Sequence, residues 1–192
     1  GDAWTVSGDD LTGTLNLNGG LAGDTSLAIT GGNLGFNNLS GGQLSLSGNY
    51  AIDGSSASST LGATVNNAGQ AVLKETLYSS GTAVWRNTSG GSLTIDNASI
   101  SRYSGSDNAT LINDAGASLS KTGTSARSIG WNVVNDGDID IQGGILTVSG
   151  TYAGSGDLAV SDGATLSLNG GFSGNGSATL NNSGRLDLGG NL

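Results

Sequence analysis

The sequence predicts an all-β protein: a right-handed parallel β-helix, or β-solenoid, of about eight coils. Three observations predict it. The chain of 192 residues holds 36 Gly and no Pro, with only 11% charged residues. A short unit recurs: an Asn/Asp/Gly turn, an apolar-polar-apolar strand, then a Gly-rich turn. The unit returns after a little over twenty residues, a period that belongs to solenoids.

Three copies show the unit. They are Val133-Val134-Asn135-Asp136-Gly137-Asp138-Ile139-Asp140-Ile141-Gln142-Gly143-Gly144, Val160 to Gly171, and Asn181 to Gly190. Aligned on the first apolar residue, the anchors are Ala71, Leu93, Leu119, Ile139, Leu166 and Leu186, with steps of 22, 26, 20, 27 and 20. Two residues on sit Leu73, Ile95, Lys121, Ile141, Leu168 and Leu188, where Lys121 is the one non-apolar member. Eight residues back sit Ala63, Trp85, Leu111, Trp131, Leu158 and Ala178; six back sit Val65, Asn87, Asn113, Val133, Val160 and Leu180. Fixed offsets that agree in polarity imply stacking, and alternation of two implies strands with one face inside.

Residues 1–60 are looser, with strand pairs at Leu15/Leu17, Leu27/Ile29, Leu34/Phe36 and Leu44/Leu46. Gly-Gly pairs punctuate the chain, supplying the positive φ that sharp corners need. No 3.6-residue apolar stripe persists, so no helix is expected. A coil this short cannot close a core alone and must stack on its neighbours at about 4.8 Å per coil, giving a rod of roughly 40 Å. Parallel crossovers set the right-handed expectation. Asn87 and Asn113, with Asn67, Asn135 and Asn182 near matching turns, are expected to form amide ladders between coils.

Composition removes several function classes. Collagen needs Gly at every third position and abundant Pro. Disorder needs few apolar residues. The net charge of −9 offers no basic surface for a nucleic-acid duplex. No run of about 18 apolar residues exists to span a bilayer, and no membrane contact is expected from this segment. Zero Cys and zero His remove thiol nucleophiles, disulfides and the commonest base and metal ligand. The whole of 1–192 reads as a single solenoid segment that starts and stops mid-pattern, expected to be a piece of a longer exported protein.

The units Asn181 to Asn191 and Gly143-Gly144-Ile145-Leu146-Thr147-Val148-Ser149-Gly150 resemble the β-helical passengers of bacterial autotransporters and filamentous-haemagglutinin-like secreted adhesins. The resemblance covers residues 60–192 well and 1–60 loosely. It implies a stalk on the bacterial surface, or secreted, that displays adhesive or self-associating regions. No β-barrel translocator or secretion domain is recognisable in the sequence.

Candidate sites are few. Asp136, Asp138 and Asp140 read as one face of a strand, to which stacked coils would add Ser118, Ser120, Thr165, Ser167, Arg185 and Asp187. A Ca²⁺ site would need six to eight oxygens, and the alternative is a solvated face that deters edge pairing. Residues 74–127 concentrate the cations Lys74, Arg86, Arg102, Lys121 and Arg127, next to the irregular stretch 120–130. There Arg102 and Tyr103 read as a binding corner for a glycan or acidic group, against an ordinary solvated loop. Trp85 and Trp131 read as core rather than as a sugar platform. Sequons at Asn38, Asn87, Asn97, Asn108, Asn175 and Asn181 read as chance. No catalytic residue, cofactor-binding residue or metal ligand is assigned. The expected function is a structural and adhesive stalk segment, not an enzyme, with a host-surface or matrix ligand, a glycan among them, or a sister rod as partner. The alternative is a carbohydrate-active β-helix using Asp138, Asp140 and Asp187.

Overall fold

A computed structural model describes the backbone of residues 3–7, 14–20, 26–52, 58–180 and 183–189, and the side chains of Ile52, residues 60–177, Thr179 and residues 183–189. Among these residues every regular element is a strand and every strand pairing is parallel. The strands stack as a β-solenoid of about six turns.

Each turn contributes one strand to each of three faces. The first face carries Gln70–Leu73, Ser92–Ile95, Ser118–Lys121, Asp138–Ile141, Asp157–Val160 and Ala178–Leu180. The second carries Thr76–Ser79, Ile100–Arg102, Arg127–Ile129, Ile145–Val148, Thr165–Leu168 and Arg185–Leu188. The third carries Val84–Asn87, Thr110–Asn113, Asn132–Asn135, Tyr152–Gly154 and Phe172–Gly174, and begins with 64–67 of the strand Ser58–Asn67.

The polarity pattern explains the stacking. Four-residue strands alternate outward and buried residues, so two side chains per strand point inward. On the first face Ala71, Leu93, Leu119, Ile139 and Leu158 form one column. On the second, Leu146, Leu166 and Leu186 form another. Backbone bonds repeat at one corner from coil to coil: Ser92 N to Gly69 O at 2.8 Å, Ser118 N to Gly91 O at 3.0 Å, Asp138 N to Ala117 O at 3.0 Å, and Asp157 N to Gly137 O at 3.1 Å.

This register corrects the expected alignment. Leu166 and Leu186 do not continue the column of Ile139; they belong to the second face. The apparent step of 27 combines one coil of 19, from Ile139 to Leu158, with a jump to the next face. The turns number about six, where about eight were expected. The offsets shift too: Trp85 is in line with Val65, Leu111 and Val133, while Trp131 lies two residues before Val133. Both indoles are fully buried, as expected of core.

Among residues 26–52 one continuous stretch, Ser26–Ile52, pairs in turn with Ala3–Ser7, Thr14–Gly20, Ser58–Asn67 and Gln70–Leu73. The four apolar pairs read in the first sixty residues all lie in strands, with Leu15 opposite Leu34 and Leu44 opposite Val65.

The expected amide ladder forms at the end of the third face, in better register than the sequence offsets implied. Asn67, Asn87, Asn113 and Asn135 are fully buried and lie directly in line. Each Nδ2 donates to the next Oδ1, at 2.9, 3.2 and 2.8 Å. The second hydrogen goes to a backbone carbonyl where the next coil starts its first-face strand: Ser92 O, Ser118 O and Asp138 O. The ladder ends where Gly154 takes the place of Asn; there Asn135 Nδ2 donates to the Tyr152 hydroxyl at 3.0 Å. Burial pushes that phenol up to about 12, so it stays protonated. Asn182 lies outside the described residues.

The glycine just after the ladder has a steric reason. A Cβ on Gly137 would meet the Ala117 and Asp114 carbonyls of the coil below, and one on Gly156 would meet Gly137 O. Corner glycines such as Gly90, at φ 83°, and Gly171, at φ 102°, supply the left-handed turns instead.

Replacing Asn113 by Ala strands the Asn87 donor, the Asn135 acceptor and the Asp138 carbonyl. Each buried unsatisfied group costs about 1–3 kcal/mol, so urea denaturation of Asn113→Ala should lose about 3 kcal/mol or more. Thr110→Ala, on the outward side of the same strand, should stay within about 0.5 kcal/mol. Equal losses at the two positions would show that the ladder is not what holds the corner.

Candidate functional site

The core is continuous, so chemistry and recognition fall to the outward rows and corners. Four locations carry distinctive side chains.

The first is the acidic strand. Only Asp138 and Asp140 lie on a strand face; Asp136 sits in the turn before it, a correction to the reading of one face for all three. Asp136 Oδ1 accepts from the Ser155 amide at 3.0 Å and its hydroxyl at 2.9 Å, and these bonds hold its carboxyl below the usual range. Asp138 lies beside Asp157 in the next coil, and Asp140 accepts from Gln142 Nε2 at 2.9 Å. Ser118 and Ser120 do stack below Asp138 and Asp140. Thr165, Ser167, Arg185 and Asp187 do not; they line the second face, where Asp187 pairs with Arg185 at 2.6 Å. Asp187 therefore cannot form a groove with Asp138 and Asp140. Among the described residues no group of three or more His, Cys, Asp or Glu side chains is placed to hold a metal ion.

A recurring device escaped the sequence reading. An Asp at a corner or opening a strand accepts from a Ser about one coil later: Asp136 from Ser155, Asp157 from Ser177, and Asp162 from the Ser183 amide. The signal was an Asp followed by Ser at 19 to 21 residues.

The second location is the long coil. Its extra length is a protrusion between the strands Ile100–Arg102 and Thr110–Asn113. Asp107 pins it: Oδ1 accepts from the Gly81 amide at 2.9 Å, and Oδ2 accepts from the Ser104 amide at 2.9 Å and the Ser79 hydroxyl at 3.2 Å. The Ser104 and Gly81 amides hold its carboxyl below the usual range. On the protrusion Tyr103 is 76% exposed, and its ring meets that of Tyr78 edge-on with centroids 6.2 Å apart. Arg102 does not join Tyr103 as a free binding pair. Its Nη2 donates to Asn132 Oδ1 at 3.1 Å, and its Nε is buried without an acceptor. Asn132 in turn donates to Asn108 and accepts from Thr151, a polar cluster beside the protrusion.

The third location is the irregular stretch 120–130. It holds a fully buried lysine. Lys121 takes the inward position filled by Ile95 below and Ile141 above. Its Nζ donates to the carbonyls of Thr122 at 2.5 Å, Gly123 at 2.8 Å and Gly143 at 3.0 Å. Burial and the nearby Arg127 lower its pKa, while Asp96 opposes them.

The fourth is the indole pair. Trp85 Nε1 donates to Asn87 Oδ1 at 2.8 Å, and Trp131 Nε1 to Ser101 O at 2.8 Å. Both rings serve the core and its ladder. Among the sequons, Asn87 is buried in the ladder, Asn97, Asn108 and Asn175 are exposed, and the side chains of Asn38 and Asn181 lie outside the described residues.

Comparison with family models, with curated proteins and with solved structures finds no match. The functional reading therefore rests on the chain's own geometry.

Two pH effects follow. Asp107 and Asp136 have depressed carboxyls in the fold, so the unfolded chain binds more protons as the medium acidifies. Their contribution is complete above the ordinary carboxylate value near 4 and is lost as pH falls through the folded value. Thermal melts should show Asp107→Asn less sensitive than the parent between pH 5 and 2, with faster hydrogen exchange at the Gly81 and Ser104 amides. Lys121 is also depressed, so the unfolded chain binds its proton more tightly up to the ordinary 10.5. Stability should rise with pH toward that value, and Lys121→Met should lack the alkaline rise. An unchanged alkaline slope in Lys121→Met would assign it to other groups.

Proposed function

We propose that this chain is a shaft segment of an exported bacterial surface protein, non-catalytic and without a cofactor, that holds a rigid rod and offers many weak contacts along it. Its partner in this reading is a host surface, a matrix glycan or a sister rod. One observation carries the reading: three parallel faces run through the described coils over an unbroken core, and the longest departure is the protrusion pinned by Asp107. Such a stack resists bending because each coil is bonded to the next along all three faces.

The outward rows fit polyvalent contact. They are rich in Ser, Thr, Asn and Asp, and among the described residues no group of three or more His, Cys, Asp or Glu side chains is placed to hold a metal ion. Weak contacts repeated at a fixed spacing add up to avidity. The resemblance of residues 60–192 to autotransporter and haemagglutinin-like passengers points the same way.

Beads coated densely with the segment should adhere to epithelial monolayers, to extracellular matrix or to each other, and the soluble segment should compete only weakly. Adhesion no greater than that of albumin-coated beads on all three surfaces would overturn the proposal.

A further inference from the structure

The three faces differ in their outward chemistry. The first is acidic, with Asp138, Asp140 and Asp157 around an open groove. The third mixes Val84, Ile112 and Val134 with Arg86, whose guanidinium pairs with Asp114 at 2.7 Å. The second holds Arg102 and Arg127 at strand ends, but one of its outward rows is uncharged over five coils. Its register places Thr76, Ser99, Ser128, Thr147 and Ser167 in one outward row. Ser128 N donates to Ser99 Oγ at 3.2 Å, which confirms the alignment between those two coils. All five are partly exposed. Asp187 closes the row, already paired with Arg185.

Beside this row, on the same side of the sheet, stands Tyr78, followed upward by Ser101, in register with it. Tyr103 leans edge-on against Tyr78 from the protrusion. Tyr103 is the most exposed large hydrophobic side chain among the described residues. It is not loosely held: its amide donates to Ser79 O at 3.2 Å, and Asp107 fixes the loop that follows. A rigid, exposed tyrosine is a low-entropy contact surface. A second tyrosine at right angles makes it a corner against which a planar apolar face can rest.

We propose that the second face is a glycan-binding strip, with Tyr78 and Tyr103 as its aromatic anchor and the Thr76-to-Ser167 row as its hydrogen-bonding track, and that its ligand is a neutral β-1,4-linked polysaccharide lying parallel to the solenoid axis. This deepens the shaft reading and rests on it. The hydroxyls repeat at the strand spacing, about 4.8 Å, close to the repeat of sugars in an extended β-1,4 chain. Each hydroxyl both donates and accepts, which suits sugar hydroxyls of either sense. The apolar face of one pyranose packs on Tyr103. The row itself carries no charge from Thr76 to Ser167, the Arg127 guanidinium beside it is engaged by Asn97 Oδ1 at 2.6 Å, and the net charge of −9 repels polyanions, so the strip favours a neutral chain over a uronate polymer.

Titration calorimetry of the 192-residue chain with cellohexaose and xylohexaose tests this. The chain should bind at least one saturably, and Tyr103→Ala should bind about tenfold more weakly, the loss expected of one aromatic anchor. Thr147→Arg, in the middle of the track, should also weaken binding, while Ile112→Thr on the third face should not. Circular dichroism confirms that each variant is folded. No saturable binding at millimolar sugar, or full binding by folded Tyr103→Ala, would overturn the strip. The bead assay separates this from the broader reading. Adhesion unaffected by Tyr103→Ala and by free cellohexaose overturns the strip and leaves the shaft. Sugar binding by a chain whose beads do not adhere supports the strip and overturns adhesion.

Discussion

The structure depends on one constraint: every coil must place its backbone and its buried amides in line with the coil below. In an inner coil of a parallel stack, an inward-pointing polar group has no route to water. The Asn67, Asn87, Asn113 and Asn135 ladder meets that demand at the corner where the chain passes from the third face to the first. Each amide bonds the next amide and also the carbonyl that opens the following strand, so one side chain ties two coils and one corner. Trp85 adds a donor to the ladder, and Tyr152 terminates it. Buried polar networks stabilise only when every member is satisfied, and here each described rung is.

That inner constraint leaves the outside free to vary. Inward positions repeat mainly Leu, Ile, Val and Trp in columns, which Lys121 interrupts between Ile95 and Ile141, while outward rows change character from face to face. One face gathers carboxylates, one carries a long row of hydroxyls, and one sets apolar Val84, Ile112 and Val134 beside the Arg86–Asp114 ion pair. The protrusion before Thr110 is accommodated because only outward and corner residues change; the strands on either side keep their register with Val84 and Asn132. Its shape is set by Asp107, which replaces absent coil contacts with hydrogen bonds to Ser79, Gly81 and Ser104.

Much of this was legible in the residues. The alternation of two, the period in the twenties and the glycine corners specify parallel stacked strands, and the recurring Asn specifies a ladder. The face assignment was not legible. An apolar-polar-apolar triplet looks the same on each of the three faces, so Leu166 aligned with Ile139 when its neighbours are Leu146 and Leu186. That slip placed Asp187 beside the wrong carboxylates. Arg102 read as a free cation because its partner, Asn132, is 30 residues away and visible only once coils are stacked. Tyr78 drew no notice, although an aromatic at an outward strand position is the kind of residue that marks a surface.

Lys121 bears on a hazard common to all repetitive folds. Coils of similar length and composition can, in principle, slip by one whole repeat and still bury leucines against leucines. Two of the carbonyls around the Lys121 ammonium, Thr122 and Gly123, belong to its own coil and travel with it, but the third, Gly143, belongs to the next coil and is lost if that coil slips by one repeat. The most awkward residue of the interior thus acts as an address, penalising mis-threaded windings that the hydrophobic columns alone would accept.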